Sequence, residues 1–324
     1  MGTDRLHKFL FQGDDATGPA AVRGEIVSLG HAWRQMAEHH DYPAPVQRLL
    51  GEMVAASALL SANLKFDGAL VMQIHGDGPV RLLVVECNTD LSMRATAKLA
   101  EGATIAAEAG FLDLVNPGGT GRCAITLDPA DKTRGQQPYQ GIVPLTGVSL
   151  AEAIDDYMLR SQQLDTRLWL AADARTSAGI LLQRLPSDGG SATTEGAAAL
   201  EARALAAAET WQRAVLLTDT IKREELLADT PETLMRKLFR EETLRVFDAL
   251  PLSFRCSCSR ERVGRMLLSL GRTEIDEALA EQGTLLIHCD FCNRGYEFDA
   301  VDCAQLFAQG GVVKSGLSGS QSKH

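Results

Sequence analysis

Apolar residues recur along this chain at two spacings, and the switch between them divides it. Alternation and short apolar runs predict strands over 6–12 and 21–29. Val46, Leu49, Leu50, Met53 and Leu60 then recur at helical spacing and predict a helix over 43–63. Pro45 falls in its first turn, where a missing N–H costs little. Two further strands, 69–74 and 79–87, are joined by His75-Gly76-Asp77-Gly78, a hairpin signal. Strands follow at 123–127, 141–145, 167–172 and 179–185. Between them Ser149 and Glu152 form a capping-box pattern that opens a helix toward Ser161.

Residues 186–196 (PSDGGSATTEG) are a turn and linker cluster. Beyond them the sequence turns helical. The stretch 197–228 is rich in Ala, Leu, Glu and Arg, all strong helix formers. Thr230 and Pro231 supply an N-cap and a first-position proline. Met235, Leu238, Phe239, Val246 and Leu250 read as one apolar stripe. Residues 196–250 carry eight Lys or Arg and ten Asp or Glu, so the segment is charged and amphipathic. It reads either as a helical arm packed on the first domain or as a marginal segment that folds only beside a folded neighbour. After Pro251, helices are expected over 263–269 and 273–282 and a strand over 285–288. The residues from 310 are Gly, Ser and Lys rich and read as a disordered tail.

The resulting fold class is α+β. An N-terminal mixed α/β domain (1–186) precedes a helical linker (187–250), a small C-terminal metal-binding domain (251–305) and a tail (306–324). The net charge of −10 makes the chain a poor default binder of nucleic acid or of anionic membrane. Residues 251–303 hold six Arg against nine acidic groups, so no basic patch marks a nucleic-acid finger. The start, Met1-Gly2-Thr3-Asp4-Arg5, has no apolar core of a secretory signal, and no apolar run is long enough to span a bilayer. A cytoplasmic protein is expected, with its seven cysteines reduced at rest.

Four of those cysteines cluster: Cys256 and Cys258, then Cys289 and Cys292. Two close pairs in one short segment read as a four-thiolate zinc site, with one Zn²⁺ in the reduced state. Cys87 and Cys123 sit in strand-like runs and read as small core residues, and Cys303 is isolated. Four thiolates on Zn²⁺ leave net negative charge, which Arg255, Arg260, Arg262 and Arg294 are placed to ease. Some fifty residues bury little core, so the metal has to supply much of the local stability. Zinc-bound sulfur is thiolate-like and open to peroxide or hypochlorous acid, after which each close pair can bridge. A constitutive zinc finger accounts for the spacing equally well. His39-His40 reads as a surface pair, and His288 as a weak competitor for a shell that four thiols complete. The Gly-rich Pro117 to Gly121 run reads as a turn. No phosphate-binding G-x-x-x-x-G-K-[ST] loop, G-x-S-x-G elbow or H-E-x-x-H motif occurs, so no ATPase, hydrolase or metalloprotease centre is evident.

Cys256-Ser257-Cys258 and Cys289-Asp290-Phe291-Cys292, together with the blocks at 68–87, 139–143, 149–153 and 161–164, resemble the Hsp33 family of redox-regulated bacterial holdase chaperones. The resemblance covers nearly the whole chain. It implies a chaperone rather than an enzyme, inactive while the four cysteines hold zinc. It also implies that oxidation releases the metal and forms Cys256–Cys258 and Cys289–Cys292 disulfides. The zinc domain and linker then unfold and the protein dimerises. It holds unfolding or partly folded clients without ATP and later passes them to ATP-dependent foldases. Two other classes stay in view: a thiol-disulfide oxidoreductase using Cys289 and Cys292, and a constitutive zinc-stabilised binding module.

Overall fold

A computed structural model describes residues 4–12, 21–64, 67–131, 137–186 and 197–315. The chain divides between Arg255 and Cys256 into two compact units. In chain order the first holds β1 (Arg5–Phe11), β2 (Val22–Leu29), α1 (His31–Ala37), α2 (Ala44–Ser61), β3 (Gly68–His75), β4 (Val80–Asn88), β5 (Ser92–Leu99), α3 (Phe111–Val115), β6 (Arg122–Pro129), β7 (Tyr139–Val143), α4 (Leu150–Gln162), β8 (Thr166–Ala172) and β9 (Ser177–Arg184). It continues through α5 (Ala197–Thr218), α6 (Arg223–Ala228), α7 (Pro231–Leu238), β10 (Leu244–Val246), β11 (Leu250–Pro251) and β12 (Ser253–Phe254). The second unit holds α8 (Arg260–Leu270), α9 (Arg272–Gln282), β13 (Leu285–His288), β14 (Gly295–Phe298) and α10 (Ala300–Ser315).

Helix α2 organises the first unit. Its apolar residues run nearly all round, the pattern of a helix with no solvent face. It lies between two sheets, against β2, β8 and β9 on one side and β3, β4 and β5 on the other. The first sheet has the order β10-β1-β2-β9-β8, with β11 also on β1; the second runs β12-β5-β4-β3-β6-β7. Gly51 lets α2 come close, since a Cβ there would sit 2.4 Å from the Ala172 Cβ. Next to it the Ser177 hydroxyl donates to the Gly51 carbonyl at 2.7 Å.

The other face of the first sheet carries a second core. Phe9, Phe11, Val22, Ile26, Ile180 and Leu182 lie under Ala214, Leu226, Leu234, Met235 and Phe239. The linker is therefore a helical arm packed on the first domain. The Phe239 ring meets Phe11 edge-on at 5.0 Å and Phe9 at 5.5 Å. Phe9 in turn lies over Gly24 of the paired strand, where any Cβ would strike its ring. Trp211 of α5 packs at the edge of this core, and the Trp169 indole of β8 donates to the Asp219 carboxylate at 3.0 Å.

Three expectations are corrected. The helix expected over 197–228 breaks after Thr218, where Asp219 turns to Trp169 and Arg167 and the Thr220 hydroxyl donates to the Leu217 carbonyl. The stripe running to Val246 and Leu250 is not one helix. α7 stops at Leu238, and β10 and β11 pair antiparallel with β1. The tail expected from 306 is helical through Ser315 in α10, while 316–324 lie outside the described residues. Strand β5 and helix α1 carried no assignment from sequence. The linker cluster expected over 186–196 lies outside the described residues beyond 186.

Glu52 of α2 faces Arg223 of α6 at 3.5 Å, and Arg223 also donates to the Ala172 carbonyl. Burial pushes the Glu52 carboxyl up from 4.5 to about 7, against the pull of Arg223 and Arg48. Between those two values the folded chain keeps a proton that the unfolded chain gives up, so stability falls as pH rises through this window. Glu52→Gln is expected to stabilise the fold by about 1–3 kcal/mol at pH 8, with the gain closing toward pH 5. Thermal melts across that range test this; a pH-independent difference contradicts it.

Candidate metal centre

The second unit has a small core of Leu267, Ile275, Leu285, Tyr296, Phe298 and Cys303. Two loops bring the cysteines to its edge. Cys256 and Cys258 precede α8, whose N-cap Ser259 accepts from the Arg262 N–H at 3.3 Å. The Arg262 guanidinium donates to the Ser257 hydroxyl at 2.6 Å and braces the same loop. Cys289 and Cys292 lie on the turn from β13 to β14. There the Cys289 N–H donates to the Arg294 carbonyl at 3.0 Å and the Asn293 N–H to the Cys289 carbonyl at 2.8 Å. Asn293 adopts φ 53°, a left-handed conformation that asparagine tolerates well.

All four sulfurs lie within 4.8 Å of one another, the one such group of ligand atoms among the described residues. Two separations across the loops are 3.6 Å, for Cys256 and Cys289, and 3.4 Å, for Cys258 and Cys292. Tetrahedral thiolates at ~2.3 Å from a common ion stand about 3.8 Å apart, so spacing and donor set both fit a metal ion here. The electrostatics agree. Burial pushes the Cys256 thiol up and takes Cys292 to about 12. Burial works the same way on Cys258, but hydrogen bonds from Tyr296 and the neighbouring thiols outweigh it and bring that thiol down to about 7. Four crowded thiols cannot ionise together unless a cation joins them.

The flanking arginines divide. Arg255 pairs with Asp90 at 2.8 Å, and Arg260 with Asp302 at 2.6 Å while lying over the Phe298 ring. Arg294 is the one drawn to the sulfurs: the Tyr296 hydroxyl, then Cys258 and Cys292, favour its charged form. The Tyr296 hydroxyl itself donates to Cys258 Sγ at 3.0 Å. The sequence reading passed over Tyr296; its alternation with Phe298 in β14, both inward, was the available signal.

The remaining candidates fall where small or structural residues belong. Cys87 and Cys123 are buried in strands β4 and β6, and burial pushes each thiol to about 12. Cys303 is buried in the second unit's core. His39 packs on Phe254 and His40 stacks on Tyr42. His288 Nδ1 lies 3.1 Å from the Asn293 carbonyl, outside the sulfur group. The Pro117 to Gly121 turn binds a carboxylate of its own chain: Asp77 accepts from the Thr120 N–H and hydroxyl and from the Gly118 N–H.

The family model described as Hsp33 protein matches residues 4–299. The chain belongs to the Hsp33 family. A relative from Methylobacillus flagellatus, named 33 kDa chaperonin, is 46% identical over 309 residues and covers 94% of each chain. One of the same name from Chromobacterium violaceum is 45% identical, again over 94% of each. The Hsp33 homologue of Thermotoga maritima, a solved structure, aligns with TM-score 0.72 over 95% of this chain and 99% of its own, at 18% identity. That likeness confirms the α+β fold. The resemblance read from the cysteine pairs and the four sequence blocks therefore holds. Among the described residues no helix is long and apolar enough to cross a membrane.

Cys292→Ser should abolish metal retention through gel filtration and remove amide protection across α8, α9, β13 and β14. Protection in β1–β9 should persist. Wild-type metal content in that variant would exclude Cys292 as a ligand.

Proposed function

We propose that this Hsp33 family member is a redox-gated, ATP-independent holdase chaperone of the cytoplasmic stress response, with no catalytic centre. The observation that carries the reading is the group of four sulfurs within 4.8 Å of one another, in a unit whose core is too small to stand alone. Cys256, Cys258, Cys289 and Cys292 would hold one Zn²⁺ in the reduced state. When bound, zinc supplies the charge that lets all four thiols ionise, and it cross-links two loops. Everything else in the switch belongs to the chain itself.

Oxidation to Cys256–Cys258 and Cys289–Cys292 disulfides would require the sulfurs to leave their present arrangement, in which Cys256 lies 3.6 Å from Cys289 and Cys258 3.4 Å from Cys292. With both ligand pairs consumed, the small core loses its cross-link and unfolds. The functional divisions follow: 1–186 as chaperone core, 187–250 as a metastable linker and 251–305 as the switch. The linker covers Phe9, Phe11, Val22 and Ile26, an apolar sheet face that would be uncovered by its release. A contiguous apolar surface of this kind suits unfolded or partly folded clients of many shapes. Dimerisation of the oxidised form and hand-over of clients to ATP-dependent foldases complete the reading. The oxidoreductase alternative gains no support, because Cys289 and Cys292 occupy a turn between strands rather than a helix N-terminus.

Light scattering from a thermally aggregating client tests the proposal, using zinc-loaded reduced protein and protein treated with peroxide and heat. Suppression by the treated sample alone is expected, and equal behaviour of the two samples would reduce the metal to a structural staple. Phe239→Ala removes the ring that caps Phe9 and Phe11, at a cost of about 3–5 kcal/mol to linker docking. That variant is expected to bind an apolar dye and to suppress aggregation even when reduced. Wild-type silence in both assays would show that the covered face is not the client surface.

A further inference from the structure

The Tyr296 hydroxyl donates to Cys258 Sγ at 3.0 Å from a ring that is only 9% exposed. Arg294, on the neighbouring turn, has its charged form favoured by Tyr296, Cys258 and Cys292. The other sulfurs meet one another: Cys256 Sγ lies 3.6 Å from Cys289 Sγ, and Cys292 Sγ 3.4 Å from Cys258 Sγ. All four cysteines are partly buried.

We propose that Tyr296 is a positioning residue of the thiol switch, whose hydroxyl shields Cys258 from oxidants. The inference rests on the redox-switch reading above. Hydrogen peroxide oxidises a thiolate when a sulfur lone pair attacks one of its oxygens. The S–O bond forms, the O–O bond breaks, and hydroxide leaves to become water. A second thiolate then displaces the hydroxyl from the sulfenic acid, forming S–S and releasing hydroxide, so two electrons pass from sulfur to peroxide. A lone pair engaged by an O–H donor is less available for the first attack, and donors to metal-bound sulfur tune the site as outer-shell partners do. Tyr296 also belongs to the core of its unit. Loosening that core withdraws the donor, so thermal stress and oxidant act on the same sulfur together.

The test uses the full chain, loaded with zinc or with cobalt. In Tyr296→Phe, peroxide-driven zinc release, followed with a chromogenic chelator, should be roughly tenfold faster, the effect of one lost hydrogen bond. The sulfur-to-cobalt charge-transfer band should move to lower energy, which a merely structural role would not cause. Trapping with dimedone should show increased sulfenic acid at Cys258. Arg294→Ala changes only an exposed side chain and should move all three readouts the same way by less, which keeps the question open to test should Tyr296→Phe not fold. An unchanged band and release rate in both variants would overturn the inference. Zinc retained by wild-type protein under peroxide and heat would overturn the switch reading instead, while the cobalt band would still decide whether Tyr296 acts on Cys258.

Discussion

The constraint on which the second unit depends is that four thiols must share a space too small for four charges. Its apolar core amounts to Leu267, Ile275, Leu285, Tyr296, Phe298 and Cys303, and a core of that size does not offset the ordering of some fifty residues. The loops carrying the cysteines are tied by short backbone and side-chain bonds, among them Arg262 to Ser257 and Cys289 to Arg294. Those bonds orient the sulfurs; they do not remove the repulsion. A shared cation would satisfy charge and cross-linking in one step, and would tie order in this unit to the chemical state of its sulfurs.

The first unit is stable on different terms. Helix α2 is enclosed between two sheets, and its burial needs no ion. The linker shares neither kind of security. Helix α5 contributes Ala214 and the edge of Trp211 to the covering of the first sheet, while its Leu205 and Leu216 remain exposed. The larger anchors, Leu234, Met235 and Phe239, sit in and just after the short α7. Beyond α7 the segment is tied to the sheet by β10 and β11, which pair antiparallel with β1.

Much of this was legible in the residues. The cysteine spacing picked out the four sulfurs that the structure gathers within 4.8 Å, and apolar alternation located most of the strands. The failures share a cause, which is information held far away in sequence. Helix α1 begins at Gly30, which has no capping side chain; its cap is the Asp4 carboxylate, which accepts from the N–H groups of Gly30, His31 and Ala32. Strand β5 alternates Met93, Ala95 and Ala97 inward, but its alanines and charges mute the pattern, and only pairing with β4 makes it a strand. The residues near 244–251 suited a helix by composition and became strands because the β1 edge was there to receive them.

The tryptophans give the molecule an optical asymmetry. The chain has three, at 33, 169 and 211, and none follows. Trp33 is fully buried beside α2, its indole bonded to the Asp173 carbonyl at 2.7 Å. The other two flank the docked linker, one on the sheet and one on α5. Tryptophan emission thus arises from the first unit alone and reports on the seating of α5 against its sheet.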